Sequence, residues 1–151
     1  MDSFNFIKCN DDNIEEIKNL HVRNDQLNFV ESSASSIEEA IAHPYWNACG
    51  IYLNNKTLIG FAMFGLFQED GVKELWIDRF FIDKKYQHHG YGKESIIALI
   101  ELLKENYDEE IVYLSVYENN DNAIHLYESI GFRFDGKLDI NGELVMEKRI
   151  K

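Results

Sequence analysis

Two glycines, Gly90 and Gly92, stand between a strand-like segment at residues 80–82 and an apolar-periodic segment that predicts a helix. The first backbone N–H groups of a helix have no partner within the helix, so they converge on one spot and can bind a phosphate. Glycine has no Cβ and lets the main chain approach a ligand closely. Lys93, with Lys84 and Lys85, can add positive charge nearby. These residue types in this order predict a pyrophosphate-binding loop.

The loop and a second segment resemble the GCN5-related N-acetyltransferase (GNAT) family. Residues 87–92 read Gln-x-x-Gly-x-Gly, which is similar to the acetyl-CoA loop of that family and differs from the Gly-x-Gly-x-x-Gly of a dinucleotide site. Residues 120–132 resemble the family segment Asn-x-x-Ala-x-x-Leu-Tyr-x-x-x-Gly-Phe throughout. His88 stands where the family often has glycine. Together the two segments imply an acetyl-CoA-dependent N-acetyltransferase.

The resemblance also assigns the residues that would bind acetyl-CoA. The backbone of residues 80–82 would pair with the pantetheine amides, and Asn120 would hydrogen-bond the pantetheine arm. We expect the backbone at His88 to reach the phosphates outside the left-handed region. The adjacent pair His88 and His89 has no further ligands at metal-site spacing, so no metal is expected. The full set is Phe80, Phe81, Ile82, Gln87, His88, His89, Gly90, Tyr91, Gly92, Lys93, Asn120, Ala123 and Tyr127.

Acetyl transfer to an amine needs a neutral amine and a proton for the departing thiolate. By resemblance Tyr127 faces the CoA sulfur, and a phenol with an ordinary pKa near 10 can donate that proton. Asp78 lies among bulky apolar neighbours, where burial would raise its pKa toward that of a general base. Polyamine acetyltransferases resemble this strand and have a carboxylate at this position. An ion pair of Asp78 with Arg79, Glu74 as the base, and a bridging water remain alternatives. Period-two alternation places five residues on one face, namely Glu74, Trp76, Asp78, Phe80 and Ile82.

A polyamine such as spermidine or spermine is the expected acceptor. Residues 22–40 resemble bacterial diamine/polyamine N-acetyltransferases, which carry Gln-x-x-Phe-Val and then a short helix beginning Ser-Leu-x-Glu-Ala. Carboxylates and aromatic rings suit several cations joined by methylene links. The candidates are Phe29, Glu31, Glu38, Glu39, Glu74 and Trp76, with Tyr45, Trp46 and Glu69 as further possibilities. The alternatives are another small amine, an aminoglycoside, a protein N-terminus, or a non-catalytic acyl-CoA-binding regulatory module.

Composition restricts the class of protein. The 151 residues suffice for one domain with one core, so residues 1–151 are expected to be a single domain. A net charge of −12 favours cationic partners and disfavours nucleic acid or an anionic membrane. No apolar run approaches the roughly 18 residues of a membrane span, and residues 1–5 lack a secretory pattern. Cys9 and Cys49 fit free thiols of a cytoplasmic protein. A homodimer is a possible assembly.

Apolar periodicity and turn residues predict the secondary structure. Strands are expected at residues 4–8, 48–53, 58–67, 74–82, 111–116, 132–137 and 144–149, with hairpin turns at 54–56 and 141–142. Helices are expected near residues 14–20, at 36–41, after 92 and at 122–129. Their expected caps are Asp11 or Asp12 for the first, and Ser35–Glu38 or Ser36–Glu39 for the second. This pattern is typical of an α/β (α+β) domain. The family resemblance implies the GNAT fold, with a mixed, mostly antiparallel sheet of six to seven strands and about four helices.

Overall fold

One sheet of seven strands organises the computed structural model, which describes residues 1–23 and 32–151. The strands lie in the order β1-β2-β3-β4-β5-β7-β6, and every described neighbouring pair is antiparallel except β4–β5. The predicted mixed, mostly antiparallel sheet is confirmed. The strand bounds are β1 (Phe4–Lys8), β2 (Trp46–Leu53), β3 (Thr57–Glu69), β4 (Val72–Ile82), β5 (Ile111–Val116), β6 (Arg133–Leu138) and β7 (Leu144–Arg149).

Four α-helices occur in the described residues, as the sequence predicts: α1 (Ile14–Lys18), α2 (Ser33–Ala42), α3 (Tyr91–Asn106) and α4 (Asp121–Ser129). In this part of the chain, none of them is long and apolar enough to cross a membrane. A short 3-10 helix, Lys84–Tyr86, follows β4. The helix α4 ends before Gly131, which has a φ of +103°. The Phe132 N–H then donates to the Tyr127 carbonyl at 3.0 Å, the closure expected of a glycine just past a helix end.

The caps of the first two helices differ from the prediction. Asn13, rather than Asp11 or Asp12, is the N-cap residue of α1. Ser32 caps α2, because its hydroxyl accepts a hydrogen bond from the Ser35 N–H at 3.1 Å. The helix therefore begins earlier than either predicted capping box. The buried Ser33 hydroxyl donates to the Ile17 carbonyl at 2.8 Å, so a contact with α1 helps to fix this start.

The two short hairpin turns have the backbone that their residues favour. Asn54 and Asn55 both have positive φ, at 55° and 59°, between β2 and β3. Gly142 has a φ of +79° between β6 and β7. Asparagine and glycine adopt this region most readily, and tight turns between strands commonly use it. Both hairpin predictions are confirmed.

Apolar side chains pack on both faces of the sheet. One cluster lies between the sheet and α3 and α4, with Leu99 and Leu103 fully buried. The other lies under α1 and α2 and contains Ile17, Ile37 and Phe61. Truncating one such side chain to alanine typically costs about 2–5 kcal/mol. These two layers hold β4 and β5, which carry the candidate site, from both sides.

Residue alternation along β4 is interrupted by a β-bulge. Met63 of β3 lies opposite Arg79, and Phe64 lies opposite Ile77, so Asp78 is the extra residue of β4 at this point. The bulge reverses the faces of the following residues. Phe80 packs with Ile77 on the α3 side, and Trp76 packs on the α1–α2 side. The prediction that Glu74, Trp76, Asp78, Phe80 and Ile82 share one face is therefore wrong.

Candidate active site

A cleft opens where β4 and β5 separate. Within the described residues, these strands pair at Leu75–Val112 and Trp76–Tyr113 alone, although they continue to Ile82 and Val116. The resulting space has a volume of about 920 Å³, with residues 77–82 on one wall and residues 114–117 on the other. A strand edge that its neighbour leaves open can pair with the amides of an extended ligand. The separation of the two strands therefore provides a candidate ligand site in the middle of the sheet.

The glycine loop lies at one end of this cleft. Gly90 has a φ of +79° and is the N-cap residue of α3, whose first turn includes Gly92. The Gln87 side-chain amide donates to the Ile82 carbonyl at 2.9 Å, which fastens the loop to the end of β4. Gly92 lines the cleft, and phosphate binding by this loop at a helix N-terminus stays a prediction.

His88 departs from the expected backbone. Its φ is +66°, in the left-handed region, where a side chain is strained and glycine is not. The expectation that His88 would avoid this region is wrong. A ring nitrogen of His88 contacts the Arg23 guanidinium, and both residues line the cleft. Arg23 thus brings a positive charge to this end of the site, a contribution that the sequence did not indicate.

The structure brings most of the predicted acetyl-CoA residues to one cleft. The lining includes Phe80, Phe81, Ile82, Gln87, His88, Gly92, Asn120, Ala123 and Tyr127. His89, Gly90, Tyr91 and Lys93 belong to the same loop and helix start, outside the lining itself. Asn120 caps α4, because its side-chain oxygen accepts from the Ala123 N–H at 3.4 Å. A cap role and a ligand contact are compatible for this residue.

Tyr127 is buried in α4 and lines the cleft. Its ring packs edge to face against Phe132, with 5.9 Å between the ring centroids. Burial raises the pKa of Tyr127 to about 12. The phenol therefore keeps its proton at neutral pH, which a proton donor requires.

Asp78 forms the predicted alternative, an ion pair. Its carboxylate lies 2.6 Å from an Arg79 nitrogen, and the second Arg79 nitrogen lies 3.0 Å from Glu39 of α2. Only 18% of the Arg79 side chain is exposed, so solvent screens this network weakly. The ion pair with Arg79 that the sequence offered as an alternative is thus present, and the role of Asp78 as a general base stays a prediction. Both Asp78 and Arg79 line the cleft.

Comparison with known proteins identifies the family and the fold. The model of the acetyltransferase (GNAT) family matches residues 14–132. The chain belongs to the acetyltransferase (GNAT) family. It is 45% identical, over 98% of its own length and 99% of the relative's, to the spermine/spermidine N(1)-acetyltransferase of Bacillus subtilis strain 168. The probable spermine N(1)-acetyltransferase of Bacillus subtilis subsp. natto strain BEST195 matches with the same identity and coverage. The predicted family and enzyme class are confirmed.

Solved structures share the fold of this acetyltransferase. The spermidine N-acetyltransferase of Vibrio cholerae in complex with CoA and spermine gives a TM-score of 0.72 at 20% identity, over 97% of this chain and 95% of the other. The PaiA N-acetyltransferase of Thermoplasma acidophilum in complex with coenzyme A gives a TM-score of 0.67 at 16% identity, over 97% and 99% of the two chains. At these identities the likeness supports the fold, and the GNAT fold is thereby confirmed.

The predicted acceptor residues of this acetyltransferase are more scattered. Glu39 reaches the cleft wall through Arg79, whereas Glu38 is exposed on α2. The Trp76 indole donates to Glu74 at 3.2 Å and stacks on Tyr113 with 5.5 Å between centroids. Among the described residues, the cleft lining contains none of Glu38, Glu39, Glu74 and Trp76. Phe29 and Glu31 lie outside the described residues.

The further acceptor candidates lie in an aromatic cluster near the end of β3. Tyr45 packs edge to face on Trp46 at 5.0 Å and on Phe67 at 5.5 Å. Burial first, then a hydrogen bond to Glu69, raises the pKa of Tyr45 to about 12. These residues also lie outside the lining of the cleft within the described chain.

Sequence reasoning missed Glu143, which lines the cleft from the β6–β7 turn. Burial is the largest cause that raises its pKa, to about 7, and the neighbouring Asp139 carboxylate adds to the rise. Arg79 lowers the pKa and Asp78 raises it, so these two charges of β4 act on Glu143 across the cleft. The signal in the sequence was only a carboxylate after the Asn141-Gly142 turn. No local feature of the sequence predicts that this turn approaches β4.

Proposed function

We propose that this acetyltransferase moves the acetyl group of acetyl-CoA to a primary amine of a polyamine, such as spermidine or spermine. The observation that carries the proposal is 45% identity, over nearly the whole length of both chains, to the spermine/spermidine N(1)-acetyltransferase of Bacillus subtilis. The net charge of −12 supports a cationic acceptor, because an acidic surface concentrates cations. On this proposal the partner is a small cationic amine rather than nucleic acid or membrane. The setting is the cytoplasm, and a homodimer is a possible assembly.

Acetyl-CoA fits the cleft as the co-substrate. The open edge of β4 at Phe80 and Phe81 offers backbone groups to the pantetheine amides. The loop before α3 offers N–H groups and little side-chain bulk to the phosphates, since a Cβ at Gly92 would come no closer than 3.8 Å to another side chain. The relatives of this fold solved with CoA support the same choice.

In the proposed reaction, Tyr127 protonates the departing thiolate. Asp78, directly or through a water, takes the proton of the acceptor ammonium, and Glu74 remains a reserve candidate for this role. The neutral amine then attacks the acetyl carbonyl. The distal cations of the polyamine would meet acidic and aromatic residues on the α2 side of the sheet, with Phe29, Glu31, Glu38, Glu39, Glu74 and Trp76 as candidates.

Thiol release from acetyl-CoA tests the acceptor. The purified protein is screened against polyamines, aminoglycosides, amino acids and peptides, and spermidine or spermine should give the highest kcat/KM. That kcat/KM should fall steeply as salt rises, because screening weakens the attraction of a polycation. A neutral-tailed monoamine of similar length is the control and should depend less on salt. Preferred turnover of aminoglycosides or peptides would exclude the polyamine assignment and leave the enzyme class intact.

Two variants test the catalytic roles. Tyr127→Phe should lower kcat by roughly 10²-fold or more and change KM for acetyl-CoA little, because its proton acts in the transition state. Asp78→Asn should move or remove the acidic limb of the pH–rate profile. Wild-type rates and pH dependence in both variants would contradict these assignments.

A further inference from the structure

Glu143 occupies a defined place at the cleft, one residue before β7. Leu144 pairs with Val116, so Glu143 lies beside the end of β5, where the chain leaves toward α4. Across the cleft, β4 presents Asp78 and Arg79, and both act electrostatically on Glu143. Glu143 and the pair on β4 therefore face the same space from opposite walls.

The turn that carries Glu143 is held by several hydrogen bonds. The Glu143 N–H donates to the Asp139 carboxylate at 2.9 Å, and the Asp139 N–H donates to the Glu143 carbonyl at 2.9 Å. The Gly142 N–H also donates to the Asp139 carbonyl, at 3.0 Å. These bonds fix the backbone at Glu143. The carboxyl group of Glu143 therefore extends from a hydrogen-bonded turn.

The proposed acetyl transfer requires a base of intermediate strength in the cleft. An alkyl ammonium keeps its proton at neutral pH, and a general base is most effective when its pKa lies near the working pH. The Asp78 carboxylate already has a cation as its partner, because a nitrogen of Arg79 lies 2.6 Å away. Glu143 has no comparable ion pair in the described structure, and burial with the nearby Asp139 brings its pKa to about 7. Two carboxylates of one site in such different environments take different roles.

We propose that Glu143 is the final acceptor of the proton that the acceptor ammonium gives up, and that Asp78 holds the ammonium or the water through which this proton passes. The proposal rests on the proposed acetyl transfer and extends one step of it: the proton that leaves the ammonium at Asp78, directly or through a water, passes on to Glu143. An ammonium N–H bond breaks and an O–H bond forms on Glu143. The freed lone pair forms the C–N bond, the C–S bond breaks, and the thiolate takes the Tyr127 proton. The second proton of the attacking nitrogen restores Tyr127, and Glu143 releases its proton to solvent.

The pH dependence of the acceptor reaction tests the proposal, with Glu143→Gln and the control Glu147→Gln. Glu147 is on β7 and outside the cleft lining in the described chain. Wild type and Glu147→Gln should show kcat/KM for the acceptor rising through a limb near pH 7. Glu143→Gln should lose this limb and fall roughly 10²-fold at pH 8, with KM for acetyl-CoA unchanged. Glu143→Asp should restore part of the rate. A limb that persists in Glu143→Gln, or an equal loss at every pH, overturns the proposal.

The unfolding of the same variants supplies a readout that does not depend on turnover. The folded pKa of Glu143 is raised from 4.5 to about 7, so its contribution to stability is full below pH 4.5 and is lost as the pH rises through 7. Glu143→Gln should therefore gain Tm relative to wild type between pH 5 and pH 8, and Glu147→Gln should not. No such gain would overturn the proposal.

The acceptor screen distinguishes a failure of the polyamine assignment from a failure of the proposed role of Glu143. If wild type prefers an amine other than a polyamine, the polyamine assignment fails, and the pH comparison with that amine still decides the role of Glu143. If wild type acetylates spermidine and Glu143→Gln keeps the pH limb, the proposed function stands and the role of Glu143 is overturned. Turnover of no amine at all contradicts both.

Discussion

Gly90→Ala gives a sharp test of the loop before α3, because the chain provides a matched control in Gly71→Ala. Both glycines have a φ of +79°, and a Cβ added at either would meet no atom within 4 Å. Gly71 lies in the turn between β3 and β4, and Gly90 lies in the candidate phosphate loop. The two variants therefore introduce the same backbone strain at two different places.

The strain sets the expected loss of stability. An L-residue in the left-handed region costs about 1–2 kcal/mol. In a domain of this size, each kcal/mol lowers Tm by roughly 2–4 °C. Gly90→Ala and Gly71→Ala should thus lower the Tm of the ligand-free protein by similar amounts, and both should stay folded.

Acetyl-CoA distinguishes the two variants. A ligand present at about 100 times its Kd stabilises the native state by roughly 2.7 kcal/mol. If the methyl group of Gly90→Ala weakens binding tenfold, about 1.4 kcal/mol of that stabilisation is lost. The rise in Tm with acetyl-CoA should therefore be about half the wild-type rise in Gly90→Ala and unchanged in Gly71→Ala.

Thermal unfolding with and without acetyl-CoA measures both effects on the same samples. A full ligand-induced rise in Gly90→Ala would refute a phosphate site at this loop. A smaller acetyl-CoA-induced rise of Tm in Gly71→Ala would show that backbone strain outside the loop also impairs binding. The effect of Gly90→Ala could then not be assigned to the loop. Unequal losses of Tm in the ligand-free variants would refute the estimate of strain.

Three further predictions concern the charged wall and the buried acid. Arg79→Met should lower the free energy of unfolding in urea by roughly 1–3 kcal/mol, because it leaves the carboxylates of Asp78 and Glu39 without their cation. The control Arg149→Met should be nearly neutral, since Arg149 and Glu110 form an exposed pair. Equal losses in the two variants would contradict this prediction. Glu39→Gln should raise KM for spermine more than Glu38→Gln, since only Glu39 contacts Arg79, and equal effects would exclude the difference. Tyr127 has its pKa raised from 10 to about 12, so Tyr127→Phe should lose less stability than wild type between pH 10 and pH 12. Parallel losses in chemical unfolding would contradict burial of the phenol.

Local signals were sufficient for most of the secondary structure. The predicted bounds of the first and fifth strands, residues 4–8 and 111–116, are those of β1 and β5. Asn54-Asn55 and Asn141-Gly142 predicted two hairpins because few residues accept positive φ. The two segments were paired because both resemble motifs of the GNAT family, and Gly92 of the first and Tyr127 of the second line the same cleft.

The remaining features depend on contacts between distant parts of the chain. The helix α2 begins at Ser33, earlier than predicted. The Ser33 hydroxyl donates to the Ile17 carbonyl of α1, and no capping pattern in the sequence encodes that contact. His88 adopts the left-handed region although it is not glycine, and its contact with Arg23 joins residues far apart in sequence. Glu143 meets the cleft only because β7 is inserted between β5 and β6. Strand order of this kind is set by long-range packing, so a single sequence does not reveal it.

The cleft and its charged wall have one structural origin in β4. A helical crossover through α3 makes β4 and β5 parallel, and their pairing ends after two residue pairs. The bulge at Asp78 then bends β4, as bulges do, and changes the face of every later residue. The separation leaves an open strand edge in front of α3, and the bulge puts Asp78 and Arg79 on the cleft wall, within electrostatic reach of Glu143. A single extra residue therefore links the strand edge proposed for acetyl-CoA to the charges proposed to handle the proton of the acceptor.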